Sequence, residues 1–336
     1  MFTKIFPLIC VIAATASLSS QGVAKDFVSL LQDINRFSET VEGIELAAGR
    51  HDFALVEPLH MLGKNQFKAN LFSDAEASVD RAIQIARFSD GLYTPIQYPL
   101  LQVAIEIELA RENWSKVDEK LEHFTWLVSQ QYQGKVKPRI EQAQWIANVR
   151  LKVFYGDDAE MRAPHLINVT YLRETTVQYA QAMRLTDDPL YHELLFELAN
   201  AYRLEAEAIR AGGSTSYQLR RLFPGLDIIE EKRLAVDKRY RIGLEKLQML
   251  QRLIEVDAAY DYEASVMMHL YIAKWHGFFN KHEQRGVAIA DALTRLVQSE
   301  QDEASVLALL DHPTGLSWER LQLELETPGF NLVSGD

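Results

Sequence analysis

From Asp26 almost to residue 300, apolar residues recur at spacings of three and four. Phe27, Leu30, Leu31, Ile34, Phe37, Val41 and Ile44 form the first such stripe. This spacing places side chains on one face of an α-helix, which turns once in ~3.6 residues. A chain patterned in this way buries its stripes only by packing helix on helix. Proline and glycine mark where the stripes begin and end. An apolar helical pattern follows each of Pro58, Pro95, Pro138, Pro164 and Pro189. A first helical turn tolerates proline because its missing N–H would be unpaired there. Gly91, Gly134, Gly156 and the Gly212-Gly213 pair sit where stripes stop, as glycines at helix C-termini do. The expected fold class is therefore all-α. Only Leu321, Leu323 and Leu325 alternate in the manner of a strand, in a tail carrying Pro313, Pro328 and Gly329. Residues 306–336 read equally as a loosely docked tail or as an edge strand.

The stripes also repeat. At a shift of 42 residues Val56 falls on Tyr98, Leu59 on Leu101, Phe72 on Trp114, Ala75 on Val117 and Val79 on Leu121. A third start near Gln142 sets Trp145 where Leu59 and Leu101 stood, in imperfect register. Self-similarity at a fixed period of about 20–50 residues marks repeat architectures, in which each helix pair completes its core against its neighbours.

Leu59, Leu62, Gly63, Ala75 and Ala82 occupy consensus spacings of a helix-hairpin repeat, with Phe72 and Val79 as bulky flanks. In these residues the chain resembles the tetratricopeptide-repeat (TPR) family, in its secreted bacterial type with longer repeats. Gln66 stands at the family's aromatic position and Arg87 at its final proline. In the second pair Leu101, Ala104, Trp114, Leu121 and Phe124 fit, but Ile105 replaces the glycine. The stretch Leu198 to Tyr202, preceded by Leu195, looks like a further first helix; residues 264–293, with Leu270, Trp275 and Ala290, match less well. The resemblance implies antiparallel helix hairpins stacked as a right-handed solenoid. It is good over 52–133, fair over 138–210 and poor beyond. A plain helical bundle accommodates the same spacings, since any helical hairpin carries Leu and Ala in this way. The expected organisation is a signal peptide (1–24), TPR-like repeats (25–160), degenerate TPR-like repeats (161–305) and a tail (306–336). The internal breaks fall at 156–163 and 212–228.

The N-terminus reads as an export signal. Lys4 precedes an apolar run from Ile5 to Ala16, and Gly22 and Ala24 suit cleavage after Ala24; Ala14 and Ala16 offer a second site. The run is about a dozen residues, short of the ~20 that span a bilayer. No later segment is apolar for long enough to span one. Cleavage would remove Lys4 and no acid, moving the net charge from −12 to −13, and would remove Cys10, the only cysteine. A mature chain without thiols suits an oxidising compartment, so the expected location is periplasmic or secreted. The acidic balance argues against nucleic acid, whose binders present basic patches.

No motif for chemistry emerges. His192-Glu193 begins a metalloprotease-like pair, but Phe196 stands where the second histidine belongs. His269 and His276 share a spacing of seven with no further ligand marked. Gly212-Gly213-Ser214 lacks the lysine of a phosphate loop. Carboxylates such as Glu205, Glu207, Glu230 and Glu231 read as solvated helix faces. Trp114, Phe124, Trp126, Trp145, Trp275 and Phe278 read mainly as core, with a sugar or peptide platform as the alternative. The expectation is a non-enzymatic scaffold in the cell envelope that binds a protein or peptide, with no cofactor and no metal. By the resemblance, its groove residues are His60, Lys64, Phe67 and Lys68 from the first pair, and Gln102, Glu106 and Leu109 from the second. A helical envelope enzyme or accessory factor acting on peptidoglycan, or a small-ligand sensor bundle, stand as alternatives.

Overall fold

The computed structural model describes the backbone of residues 6–131, 135–158, 160–220, 225–256 and 262–299. Within these it describes all side chains except those of residues 6–26, 131, 262–263 and 297–299. Lys4, Gly134, Leu321, Leu323, Leu325 and the 306–336 tail lie outside the described residues. So do the side chains of Cys10, Gly22 and Ala24. Among the described residues there are twelve α-helices, one short 3-10 helix and no strand, so the all-α expectation holds. No described helix is long and apolar enough to cross a membrane.

The chain divides into two compact units, Met1–Gln133 and Gly134–Asp336. The first contains α1 (Phe6–Ala48), α2 (Val56–Lys68), α3 (Phe72–Asp90), α4 (Gln97–Ala110) and α5 (Trp114–Gln131). Its helices pack in chain order, with α2 also touching α4. The second contains α6 (Val136–Gly156), α7 (Arg162–Ala182), α8 (Pro189–Ala211), α9 (Gly213–Arg220), α10 (Ile228–Val256), α11 (Tyr262–Phe278) and α12 (His282–Ser299). Here α6 pairs with α7, α7 with α8, α8 with α10, and α11 with α12, while α9 touches α7, α8 and α10.

The prolines do what the sequence led us to expect. Pro58, Pro138 and Pro164 fall in the first turns of α2, α6 and α7, Pro95 lies just ahead of α4, and Pro189 opens α8. There the Asp188 carboxylate accepts the Leu190 N–H at 3.1 Å and caps the helix. Gly91 and Gly212 end α3 and α8 at φ of 95° and 92°, a region in which a side chain would be strained.

The hairpin turns repeat in atomic detail. Between α2 and α3 only Ala69, Asn70 and Leu71 intervene, and Asn70 has φ of 60°. The Asn70 N–H donates to the Phe67 carbonyl and the Leu71 N–H to the Gln66 carbonyl, both at 2.9 Å. Forty-two residues on, Glu112 has φ of 55°, its N–H donates to Leu109 at 3.1 Å, and the Asn113 N–H donates to Glu108 at 3.0 Å. The same pair of bonds closes α11 around Asn280, at 3.0 and 2.8 Å. This double bond pattern around a left-handed residue satisfies carbonyls that the last helical turn leaves open. Arg184 repeats it at the end of α7.

Past such a turn, α3 folds back on α2 at close range. A Cβ built on Gly63 would lie 2.5 Å from Val79 Cγ2 and 3.2 Å from the Ala75 carbonyl oxygen. Ala75, Val79 and Ala82 are fully buried, and Leu59 and Leu62 nearly so. Glycine and alanine therefore set how near the two axes come, and leucine and valine fill the flanks. In the second pair Ile105 occupies the glycine position and is itself fully buried; α4 and α5 pack less intimately. In the second unit α10 meets α11 at Gly243, where a Cβ would collide with the Trp275 ring. Trp275 is fully buried and donates its indole N–H to the Tyr240 carbonyl at 3.2 Å. Around it Tyr191, Phe196, Leu198, Tyr202, Leu270 and Tyr271 belong to one core cluster. Ala290, singled out by its spacing, is exposed; Ala288 and Ala292 of the same helix join the core instead.

Two glycine substitutions should separate close packing from helix propensity. Gly286 in α12 is exposed with nothing near its Cβ position, so Gly286→Ala should raise stability by about 0.5–1 kcal/mol. Gly63→Ala should lower it by roughly 1–3 kcal/mol, because a buried β-branched side chain and a backbone carbonyl stand in the way. Ala75→Leu should cost a similar amount. Urea unfolding followed by circular dichroism measures all three.

Candidate functional site

α4 is covered on most of its surface: Gln97, Tyr98, Leu100, Leu101, Val103, Ala104, Ile105, Ile107 and Glu108 are all buried. Its open stripe is Pro99, Gln102, Glu106, Leu109 and Ala110, which contains all three groove residues expected on this helix. On α2 the open stripe is Glu57, His60, Met61, Lys64, Phe67 and Lys68. Both helices pack against α3 and touch one another, so the two stripes belong to adjacent helices.

The seven residues are not equally available. Lys64 and Lys68 are exposed, and neither makes an ion pair with a described residue. Four residues apart, they project from the same face. Phe67 is half-buried against Phe72, with ring centroids 6.0 Å apart, so it serves the hairpin as well as the surface. His60 is also half-buried, and burial, aided by the Lys64 charge, pushes its pKa below the usual 6.5 despite Glu57 at 3.9 Å. It is neutral near pH 7, so the basic strip consists of the two lysines.

The two polar departures from the repeat pattern, Gln66 and Arg87, are cross-links. Gln66, at the aromatic position, accepts from the Ser78 hydroxyl at 2.8 Å and ties α2 to α3. Glu108, the residue that matches it in the next repeat, is fully buried. Its Oε1 lies 3.7 Å from both Arg111 and Lys116, an ion pair without a hydrogen bond, and these two cations also hold Glu76 of α3. Arg87, at the proline position, donates to Gln97 Oε1 at 2.6 Å and to His123 Nε2 at 2.7 Å, joining α3, α4 and α5. Burial and the Arg87 charge both lower the His123 pKa, which keeps that nitrogen free to accept.

Beside this link lies an aromatic surface. His123 stacks on Trp126 at 6.1 Å, and Trp126 meets Tyr93 at 5.1 Å. Trp126 and Tyr93 stay open to solvent, with Leu92 and Phe88 exposed nearby in sequence. Of the aromatics weighed as a platform, Phe124 and Trp275 are fully buried and Trp114, Trp145 and Phe278 partly so; Trp126 alone among the six is exposed. Helical spacing could not separate it from Phe124 two residues away.

In the second unit the charged side chains gather between α7, α8, α9 and α10. Arg239 and Glu205, 7% and 4% exposed, pair at 2.8 Å. Arg239 also donates to the Leu219 carbonyl at 3.1 Å and the Ala235 carbonyl at 3.4 Å. Tyr202 donates its hydroxyl to Glu174, and burial together with that carboxylate raises its pKa. These groups line a cavity of about 390 Å³ with Thr170, Gln218 and Lys238. A general acid or base needs a carboxylate or phenol free to exchange a proton with a ligand. Here both carboxylates are held by neighbours, and the set ties α9 to α8 and α10. Arg173 does the same for α6, α7 and α8: it donates to the Glu197 carbonyl at 2.8 Å and to Asn148 Oδ1 at 3.2 Å, and pairs with the Glu197 carboxylate at 2.5 Å.

No protein-family model matches this chain, and a search of curated proteins finds no similar one. The histidines flagged for their spacing are likewise engaged. His276 Nδ1 lies 3.1 Å from the Tyr240 hydroxyl, and His269 Nε2 accepts from Arg295 at 2.7 Å. Burial lowers both pKa values. Among the described residues no three potential ligands converge on a metal position.

The Glu205–Arg239 pair gives a direct test of a structural role. Removing one partner of a buried pair strands the other without compensation. Glu205→Ala should lower stability by about 3–5 kcal/mol, and Glu205→Leu combined with Arg239→Met should recover part of that loss. Both are read from urea unfolding midpoints.

Proposed function

We propose that this chain is an exported, non-enzymatic, TPR-like scaffold. Its hairpins stack as a right-handed solenoid and hold a protein or peptide segment on the open stripes of α2 and α4. The observation that carries the reading is the turn shared by α2–α3 and α4–α5 at a 42-residue offset. Two hairpins built alike set corresponding first-helix residues side by side, and stacked hairpins of this kind offer extended concave surfaces. Lys64 and Lys68 give the C-terminal part of the α2 stripe a local positive charge, with Glu57 and Glu106 elsewhere on the two stripes, on a chain of net charge −12; that end favours an acidic partner segment. The contact weakens as salt rises, because surface charges are screened beyond ~10 Å at about 0.1 M ionic strength.

Reversing both charges tests the surface. Lys64→Glu with Lys68→Glu should abolish capture of the partner from crosslinked envelope extract, leaving the helical circular dichroism spectrum and thermal midpoint nearly unchanged. Undiminished capture would remove the lysines from the binding surface; loss of fold would make them structural.

Export is tested separately. The short apolar run and the small residues at Gly22 and Ala24 lead us to expect a mature chain beginning at Lys25. N-terminal sequencing of material recovered outside the cytoplasm reads this directly, and a chain still starting at Met1 there would refute it.

A further inference from the structure

A second cavity in unit 134–336, of about 500 Å³, has walls of another character. Ten described residues line it, and four of them are cationic: Arg210, Lys232, Arg233 and Lys281. At the chain's average frequency of lysine and arginine about one would be expected. Among the described lining residues the one acid is Asp237.

The four cations divide into two pairs. Arg233 is held by Glu230 through two bonds, at 2.8 and 2.5 Å. Lys281 pairs with Asp237 at 3.1 Å, and Asp237 is already shared with Arg241 at 3.5 Å. Arg210 and Lys232 have no carboxylate within ion-pairing distance among the described residues. Arg210 is nevertheless fixed in place. It donates to the Phe278 carbonyl at 2.7 Å, and its guanidinium lies 4.7 Å from the Phe278 ring and 5.2 Å from the Phe279 ring. Such stacking orients a guanidinium while leaving its remaining donors available. Lys232 is half-buried, with its ammonium beside Gly212.

The rest of the wall is apolar. Ile209 and Val236 form its depth, and Ile229, 81% exposed, stands at its mouth. The α10 N-terminus is not the attraction for an anion, because Asp227 already accepts the N–H groups of Ile229 and Glu230. Ligand sites combine apolar walls with a few placed polar groups, in volumes of about 300–1,000 Å³. Arg210, held in place, and Lys232, neither of them in an ion pair among the described residues, stand beside exposed isoleucine; Glu207 acts on Arg210 only from beyond ion-pairing distance. The combination matches a molecule with an anionic head and an apolar body.

We propose that this cavity binds a small amphiphilic organic anion, its carboxylate or phosphate head against Arg210 and Lys232 and its apolar part on Ile209, Val236 and Ile229. The site is independent of the α2 and α4 surface, and partner capture has no part in its test.

Isothermal titration of the full-length chain with octanoate, octyl phosphate, inorganic phosphate and octanol reads the site. Octanoate or octyl phosphate, or both, should bind saturably at one site, and the tighter of the two identifies the preferred head. Inorganic phosphate should bind more weakly, and octanol should not bind. Lys232→Gln should weaken binding about tenfold or more, the scale of one lost charge-assisted hydrogen bond, with the thermal midpoint of the free protein unchanged. Arg210→Gln should do the same, but its bond to Phe278 gives it a second role; Lys232 therefore decides. Ile229→Ser should weaken octyl phosphate and leave inorganic phosphate as it was. Octanol binding as well as octanoate, affinity unaltered in Lys232→Gln, or no binding of either octyl anion would each overturn the proposal.

Discussion

A turn with a left-handed residue two places past the helix end closes α2, α4, α7 and α11, and after α2, α4 and α11 it is the whole three-residue link to the next helix. It fixes where the second helix starts relative to the end of the first, before any side chain has packed. Asn70 and Asn280 adopt that conformation at modest cost, since asparagine tolerates it. Glu112 and Arg184 do so against preference, at roughly 1–2 kcal/mol each. The bonds the turn makes to the preceding carbonyls, and the packing beyond it, outweigh that cost. Once the return angle is set, the distance between helices depends on what stands at the crossing. Gly63 opposite Ala75 and Val79 allows the close approach, while Ile105 in the second hairpin does not.

The two units hold their polar interiors in a common manner. Among the described residues, each buries charge only where a partner of opposite sign or a backbone carbonyl meets it. Glu108 lies between Arg111 and Lys116, Arg239 is held by Glu205 and two carbonyls, and Arg173 by Glu197 and Asn148. Pairs of this kind add little net stability over an apolar core of the same shape, but they penalise misplacement heavily. Their positions bear this out: the Arg239 set pins the short helix α9, which has few buried apolar residues of its own. Apolar burial supplies the driving force, and the ion pairs fix which helix lies where.

Much of this was legible in the sequence because it is local. Proline marks the starts of five helices, glycine ends α3 and α8, and Leu59, Ala75, Val79 and Leu101 are buried as the spacing required. The open stripes of α2 and α4 follow from the same periodicity. The links made by polar residues were not legible, since each depends on a partner far along the chain. Gln66 and Arg87 looked like defects in a repeat until Ser78, Gln97 and His123 were seen beside them. Carboxylates read as solvated divide in the structure: Glu207 and Glu230 lie at the surface, whereas Glu205 is buried. Ala290 failed for a related reason, because alanines at 288, 290 and 292 offer more than one face to a helix in a weak stripe. The cationic cavity draws Arg210 and Lys281 from outside α10, so no run of sequence announces it.

The connection between α3 and α4 differs in kind from the turns inside the hairpins. Its six residues are secured by side chains: the Gln97 amide donates to the Leu92 carbonyl at 2.8 Å, and the Thr94 hydroxyl to Asp90. An extra residue within 69–71 would swing α3 by about 100° about its axis, turning Ala75 and Val79 away from Gly63. Within 91–96, Leu92 and Tyr93 face solvent while Thr94 is buried, so an extra residue at the exposed end has room to bulge outward. The geometry therefore leaves more room for length variation at the exposed start of the α3–α4 link than within the 69–71 turn, where the close crossing at Gly63 depends on the register of α3.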